Sequence, residues 1–141
     1  MAVIFCAAKN NMKRELDVVA ALIKKGRKIL LCRRHLHDHY GGLWEFPGGA
    51  VEKGETFEAA IEREIKEETD LNIKAVRLVG KFYDEDETLI IHIYLYRCDI
   101  ISGQIAARDC ADFGFFPLPD IARLDLAPAD KKIYYFLLRK K

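Results

Sequence analysis

Apolar and polar positions fall into blocks that change period along the chain. Asp17–Lys24 (DVVAALIK) and Lys28–Arg34 (KILLCRR) are β-rich runs, and Lys25-Gly26-Arg27 between them predicts a hairpin. His35–Leu43 is a polar loop ending in Gly41-Gly42, and Trp44–Pro47 reads as a short strand leading into the pair Gly48-Gly49. Thr56 is a suitable N-cap for a helix running to about Thr69, with Glu58 in its first turn beside the positive helix end. Ile73–Tyr83 and Thr88–Cys98 are long strands around an Asp84–Glu87 turn. Further short strands are expected near 103–106 and 112–116, and a turn or short helix over 117–121. Pro128 suits the first turn of a last helix to about Arg139, with Ile133, Phe136 and Leu137 facing inward. Strands of mixed connection with two helices imply an α/β sandwich around a mixed sheet, in a single domain over 1–141.

Composition narrows the class without deciding it. The 141 residues are 50% hydrophobic and 32% charged, an ordinary globular balance. A net charge of +1 gives no global field towards nucleic acid or an anionic membrane, so any anion must be bound locally. No apolar run is long enough to span a bilayer. Cys6, Cys32, Cys98 and Cys110 show no metal-type spacing and read as reduced thiols of a cytosolic protein. The apolar start MAVIFCAA lacks a preceding basic region and is not read as a signal peptide. Met12 is an alternative start, which would make residues 1–11 an extension; an extra edge strand is the competing reading.

The helix after Thr56 is where polarity departs from the pattern. Glu64, Glu67 and Glu68 stand at i, i+3 and i+4 on the face that also carries Phe57, Ala60 and Ile61. The opposite face, with Glu58, Glu62 and Lys66, reads as solvated. A solvated acidic helix would explain glutamates in general, but not glutamates on the inward stripe. Carboxylates facing a protein body are costly, and a hard divalent cation, Mg²⁺ or Mn²⁺, relieves that cost. Gly48, Gly49 and Gly54 shape a loop that brings backbone carbonyls and Glu55 towards this helix, and Arg63 is placed to hold a carboxylate by a bidentate pair.

The run Gly49-x5-Glu55-x7-Arg63-Glu64-Ile65-x-Glu67-Glu68-x-x-Leu71 resembles the Nudix box at every fixed position except one, where Asp70 replaces glycine. Aspartate tolerates a left-handed helix end, so only a modest local cost is expected. The resemblance implies a Nudix-type α/β/α sandwich that hydrolyses a nucleoside diphosphate linked to a further group. It implies Glu64, Glu67 and Glu68 as metal ligands, Glu55 as a further or water-bridged ligand, and an oxygen from the Gly49 carbonyl. Arg63 would orient Glu64, and the general base would be Glu64 or Asp109.

The order of strand, Arg33-Arg34, loop, LWEFPGG, box and late LAPAD looks like the MutT-type nucleoside triphosphate pyrophosphohydrolases, the CTP pyrophosphohydrolase type among them. That likeness puts Arg34 on the substrate phosphates and Asp130 on the base, where a carboxylate would accept from the amine of cytosine or adenine. His39, Phe46 and Phe82 are further substrate-binding candidates. His35, His37 and His39 read as solvated, not as a zinc triplet, and Trp44 reads as a core anchor. Ala50, where MutT-type relatives often have lysine, removes one phosphate contact. The expected substrate is a small nucleotide, (d)CTP or a modified dNTP, yielding the monophosphate and pyrophosphate. Neither stable nucleic-acid binding nor a membrane is expected, and the chain would be a monomer or homodimer. The rivals are a nucleotide-sugar or dinucleotide pyrophosphatase, such as one acting on ADP-ribose, and a non-catalytic nucleotide-sensing domain.

Overall fold

Seven strands in order along the chain build the sheet, and β1 is its organiser. The computed structural model describes residues 13–140. The strands are β1 (Arg14–Lys25), β2 (Lys28–Arg33), β3 (Trp44–Glu45), β4 (Gly48–Ala50), β5 (Asn72–Glu85), β6 (Leu89–Ser102) and β7 (Asp112–Pro117). Helix α1 spans Phe57–Thr69, a 3₁₀ helix spans Leu118–Arg123, and α2 spans Pro128–Arg139. The order β3-β2-β1-β6-β5 runs across the sheet, with β4 also on β1 and β7 also on β2. β1 and β6 are parallel from Arg14↔Leu89 to Ile23↔Cys98, while the other pairs are antiparallel. The expected mixed-sheet α/β sandwich is the fold observed; the readings on residues 1–11 lie outside the described residues.

Alternation along β1 explains the two layers. Val19, Ala21 and Ile23 join Ala60, Ile61 and Ile65 of α1 in one buried cluster. Ala20 and Leu22 join Ile133, Tyr134 and Leu137 of α2 in the other. A strand whose successive residues serve opposite faces must be covered on both, and one helix covers each. Thr56 caps α1, its Oγ1 accepting from the Ala59 N–H at 3.0 Å. The helix closes on Asp70 in the left-handed region (φ 66°), whose N–H reaches the Lys66 carbonyl. The residue that departs from the glycine of the box thus adopts the conformation that glycine would serve.

Several local expectations need correction. Residues 103–106 form no strand; the Ala106 N–H bonds the Thr69 carbonyl instead and ties that segment to the end of α1. The turn between β5 and β6 is tighter than expected because Asp86 Oδ1 accepts from the Thr88 and Leu89 N–H groups, both at 2.9 Å. Glu62 is not simply solvated: its carboxylate accepts from the Ala75 N–H at 3.1 Å, beside an irregularity in the β5–β6 pairing. Lys66 pairs with Asp70.

Candidate active site

The β4 glycines, α1 and the start of α2 converge where β1 and β6 run side by side. Gly48 and Gly49 are paired with Ala20 and Val19 of β1. A Cβ on Gly48 would lie 1.9 Å from the Val19 carbonyl oxygen, and one on Gly49 would lie 2.3 Å from Glu64 Oε1. Only glycine lets this backbone press against both the sheet and the helix carboxylates.

The acidic face of α1 divides into three environments. Glu68 is buried and its Oε1 has no hydrogen-bond partner among the described residues. Burial, then the nearby Glu45 and Glu64, push its carboxyl up to about 10, and the Gly48 N–H opposes that shift only in part. Glu64 is mostly shielded, with one oxygen on Arg63 Nη1 at 2.8 Å. Glu67 lies outside the buried stripe, more than half exposed, and touches Arg63 at 3.2 Å. The expectation that all three share the inward face therefore fails at Glu67: the buried stripe is Ala60, Ile61, Ile65, Glu68 and Thr69. At 100° per residue Glu67 falls on the edge of that stripe, and the edge is open here.

Arg63 is the hub of this face. Its Nε and Nη2 grip both oxygens of Glu55 at 2.7 and 3.0 Å, Nη1 reaches Glu64 and Glu67, and Nη2 also donates to the Ala50 carbonyl. Its bidentate partner is Glu55, and Glu64 receives a single bond. The Glu55 carboxyl is pulled down to about 2, first by Arg63 and then by the Glu52 N–H. Both Glu55 oxygens accept from protein donors, so here Glu55 anchors Arg63. Among the described residues no three acidic, histidine or cysteine side chains form a ready metal cage. Arg63 engages Glu55, Glu64 and Glu67, and Glu68 stands apart from it.

A cavity of about 320 Å³ opens beside this face, lined by Arg34, His39, Glu45, Phe46, Gly49 and Asp130 among others. Arg34 donates from Nη1 to Glu45 Oε1 at 2.8 Å and from Nε to the His39 carbonyl at 2.6 Å. Glu45 was not singled out by sequence, although its place in a two-residue strand paired with β2 turns it beside Arg34. Burial pushes its carboxyl up, and Arg34 only partly offsets that. Asp130 is buried, with Oδ1 accepting from the Phe46 N–H at 2.8 Å. Burial, reinforced by Glu45, raises its carboxyl well above the ordinary range. Burial thus favours its neutral form, and a protonated carboxyl can donate to a base where a carboxylate accepts from an amine.

The other sequence candidates separate. His39 lines the cavity, with Nε2 3.1 Å from Asp86 Oδ2 and its ring 4.0 Å from that of Tyr40. Tyr40 also lines the cavity and carries a positive φ of 58°, a strained loop position that gave no pattern signal. Phe82 does not line the cavity; it packs edge-on to Phe136, with ring centroids 5.3 Å apart. Its strand parity turns it towards α2. Asp109 is exposed and paired with His35 Nε2 at 3.2 Å, with no side-chain contact to the glutamates. Its loop nevertheless reaches α1, since the Arg108 and Asp109 N–H groups bond the Glu68 carbonyl. Trp44 packs edge-on to Phe116, as a core anchor would.

A mixed sheet with a glycine strand and a carboxylate helix at a nucleotide-sized cavity defines a hydrolase class built on the Nudix box. The NUDIX domain model matches residues 13–137, and the chain belongs to the Nudix hydrolase family. It is 32% identical to the CTP pyrophosphohydrolase of Escherichia coli (strain K12) over 82% of this chain and 85% of that protein. It is 38% identical to the ADP-ribose pyrophosphatase of Methanocaldococcus jannaschii over 75% of this chain and 64% of that protein. The MutT protein of Methanosarcina mazei Go1 shares the fold, with a TM-score of 0.83 and 20% identity over 92% of this chain and 96% of that one. The chain is an enzyme of this family, whose members use divalent metal ions and act on small nucleotides.

Proposed function

We propose that this enzyme is a nucleoside triphosphate pyrophosphohydrolase using Mg²⁺ or Mn²⁺, with (d)CTP or a modified dNTP as substrate and the monophosphate and pyrophosphate as products. One observation supports it above the others: among the described residues a buried Glu68 oxygen lacks any partner, next to Glu64 and Gly48, and Gly48 and Gly49 line the cavity that also holds Arg34 and Asp130. The donor set fits a hard divalent cation, because a desolvated carboxylate with an unmet oxygen is what such an ion satisfies. Glu64, Glu67 and Glu68 would hold the ion, with the Gly49 carbonyl, while Glu55 fixes Arg63. A divalent ion there supplies Lewis acidity, screening phosphate charge and making water more acidic.

The protein's own groups account for the rest. Arg34 is steadied by Glu45 and the His39 carbonyl, which leaves Nη2 to bind phosphate oxygens. Glu64 is the general base of this reading, since Arg63 holds one of its oxygens and leaves the other for a proton. Asp109 would need its loop to turn towards the glutamates to serve instead. Phe46 supplies an apolar wall for the base. Asp130 reads that base, accepting from an amine as a carboxylate or donating to a ring nitrogen or carbonyl when protonated, and Phe46 N–H fixes its orientation. A cytosolic setting, a single domain across the chain and a monomeric or homodimeric state belong to the same reading.

The likeness to the E. coli CTP pyrophosphohydrolase supports the triphosphate reading, and the likeness to the archaeal enzyme keeps ADP-ribose as the second. A panel of NTPs, dNTPs, methylated or oxidised dNTPs and ADP-ribose, assayed with Mg²⁺ or Mn²⁺ for pyrophosphate and phosphate, separates them. Preferred turnover of ADP-ribose over every triphosphate would reject the first reading.

A further inference from the structure

The face of the sheet that α2 covers holds a second hollow, beyond the C-terminal end of that helix. It has a volume of about 720 Å³, a size typical of small-molecule sites. Its lining includes Lys24, Arg27, Arg77, Arg97 and Lys140 and no acidic residue. Its floor is apolar, with Leu22, Val79 and Leu137. The hollow is separate from the catalytic cavity. Lys140 stands ten residues after Asp130, about 15 Å along the helix axis. Lys24 stands four residues beyond Ala20, about 13 Å along β1.

Sheet register gives an independent reason to expect an anion here. Arg77 of β5 is paired directly with Arg97 of β6, and Arg97 in turn with Leu22 of β1. Like charges opposite one another on neighbouring strands are destabilising. Among the described residues, none of the five cations forms an ion pair with a carboxylate. Lys140 stands over the ring of Phe136, with Nζ 5.4 Å from its centroid. A net charge of +1 does not explain such a local excess of one sign.

We propose that this hollow is a second ligand site, for a small organic polyphosphate. The apolar body of the ligand lies on Leu22, Val79 and Leu137, and its phosphates engage Arg77, Arg97 and Lys24. An arginine pair suits this role because each guanidinium offers a planar fork to phosphate oxygens. The apolar floor argues for a compact amphiphile over a bare anion or a long backbone.

The test uses the full chain in excess chelator, so that the metal-dependent site is not loaded, with ATP and inorganic tripolyphosphate as probes in titration calorimetry. Saturable ATP binding is expected, weakening as salt rises. It should fall at least tenfold in R77Q/R97Q, while metal-dependent hydrolysis keeps its kcat and KM within about twofold. Lys24→Gln, a single exposed change, should weaken ATP binding in the same direction. Without ligand, R77Q/R97Q should melt no lower than wild type, because the opposed charges are gone. Unchanged ATP affinity in R77Q/R97Q would overturn the site. Tripolyphosphate binding as tightly as ATP would overturn the apolar subsite, and tighter binding of a thymidine 20-mer than of ATP would overturn the small-ligand assignment.

Discussion

Burial of Glu68 sets a pH dependence that the metal-free enzyme must show. Its folded carboxyl is pushed up to about 10, far above the ordinary carboxylate value, so the folded state holds a proton that the unfolded state has released. Stability is then fully present below the unfolded value and is lost as pH rises towards 10. Asp130, raised for the same reason, acts in the same direction. With divalent ions chelated, the melting temperature should fall between pH 5 and 9, and Glu68→Gln should flatten the slope. A flat wild-type profile would contradict the burial argument. Glu68→Gln should also stabilise the metal-free protein by about 1–2 kcal/mol while removing turnover, since an amide is neutral without the proton that Glu68 must take up on burial. Glu67→Gln offers the contrasting case. Its side chain is half exposed, so the melting temperature should hold while metal-dependent pyrophosphate release is lost; near-normal turnover would remove Glu67 from the ligand set. Arg63→Lys keeps the charge but not the fork on Glu55. It should cost about 1–3 kcal/mol in thermal unfolding and lower kcat.

Within single elements, adjacent residues that look alike in sequence do different work. The Cβ of a Gly48→Ala variant would meet the Val19 backbone, which cannot move without parting β4 from β1. A loss of at least about 2 kcal/mol is expected on chemical denaturation. In Gly49→Ala the obstacle is the Glu64 side chain, which can swing aside. Stability should be nearly kept and metal affinity lost. At the other end of the box, Asp70→Ala should cost about 1 kcal/mol for the left-handed position, whereas Asp70→Gly should stay within about 0.5 kcal/mol of wild type. The charge spacing of the box and the cap at Thr56 were legible because helix period and capping are local rules. The partners of Glu55, the burial of Glu45 and the direction of Phe82 were not. The last two depend on which strand lies alongside, and register is decided by contacts far apart in the chain, while Glu55 meets Arg63 because the glycine loop folds back on the helix. Asp130 was found by its place in the chain, but the upward push on its carboxyl follows from a desolvation that only the folded cavity imposes.

For the whole molecule, α2 joins two regions of opposite character. Its first turn places Asp130 at the catalytic cavity, and its last turn borders the cationic hollow. The carboxylate cluster and the arginine pair thus occupy separate parts of one small domain, and the near-zero net charge conceals both. A global measure such as isoelectric point therefore says little about where anions or cations bind. The pairing of β1 with β6 has a consequence of another kind. The two strands that meet at the centre of the sheet are some seventy-five residues apart in sequence. During synthesis the glycine strand and the carboxylate helix leave the ribosome well before the strand that completes the sheet beneath them. Until that late strand arrives the helix rests on β1, β4 and β5 of an incomplete sheet, so the acidic face stays open to water and loose cations. A chain halted before Leu89 would own the whole box and yet have no enzyme, and refolding of the intact protein should be slow for its size, limited by closure of that one long loop.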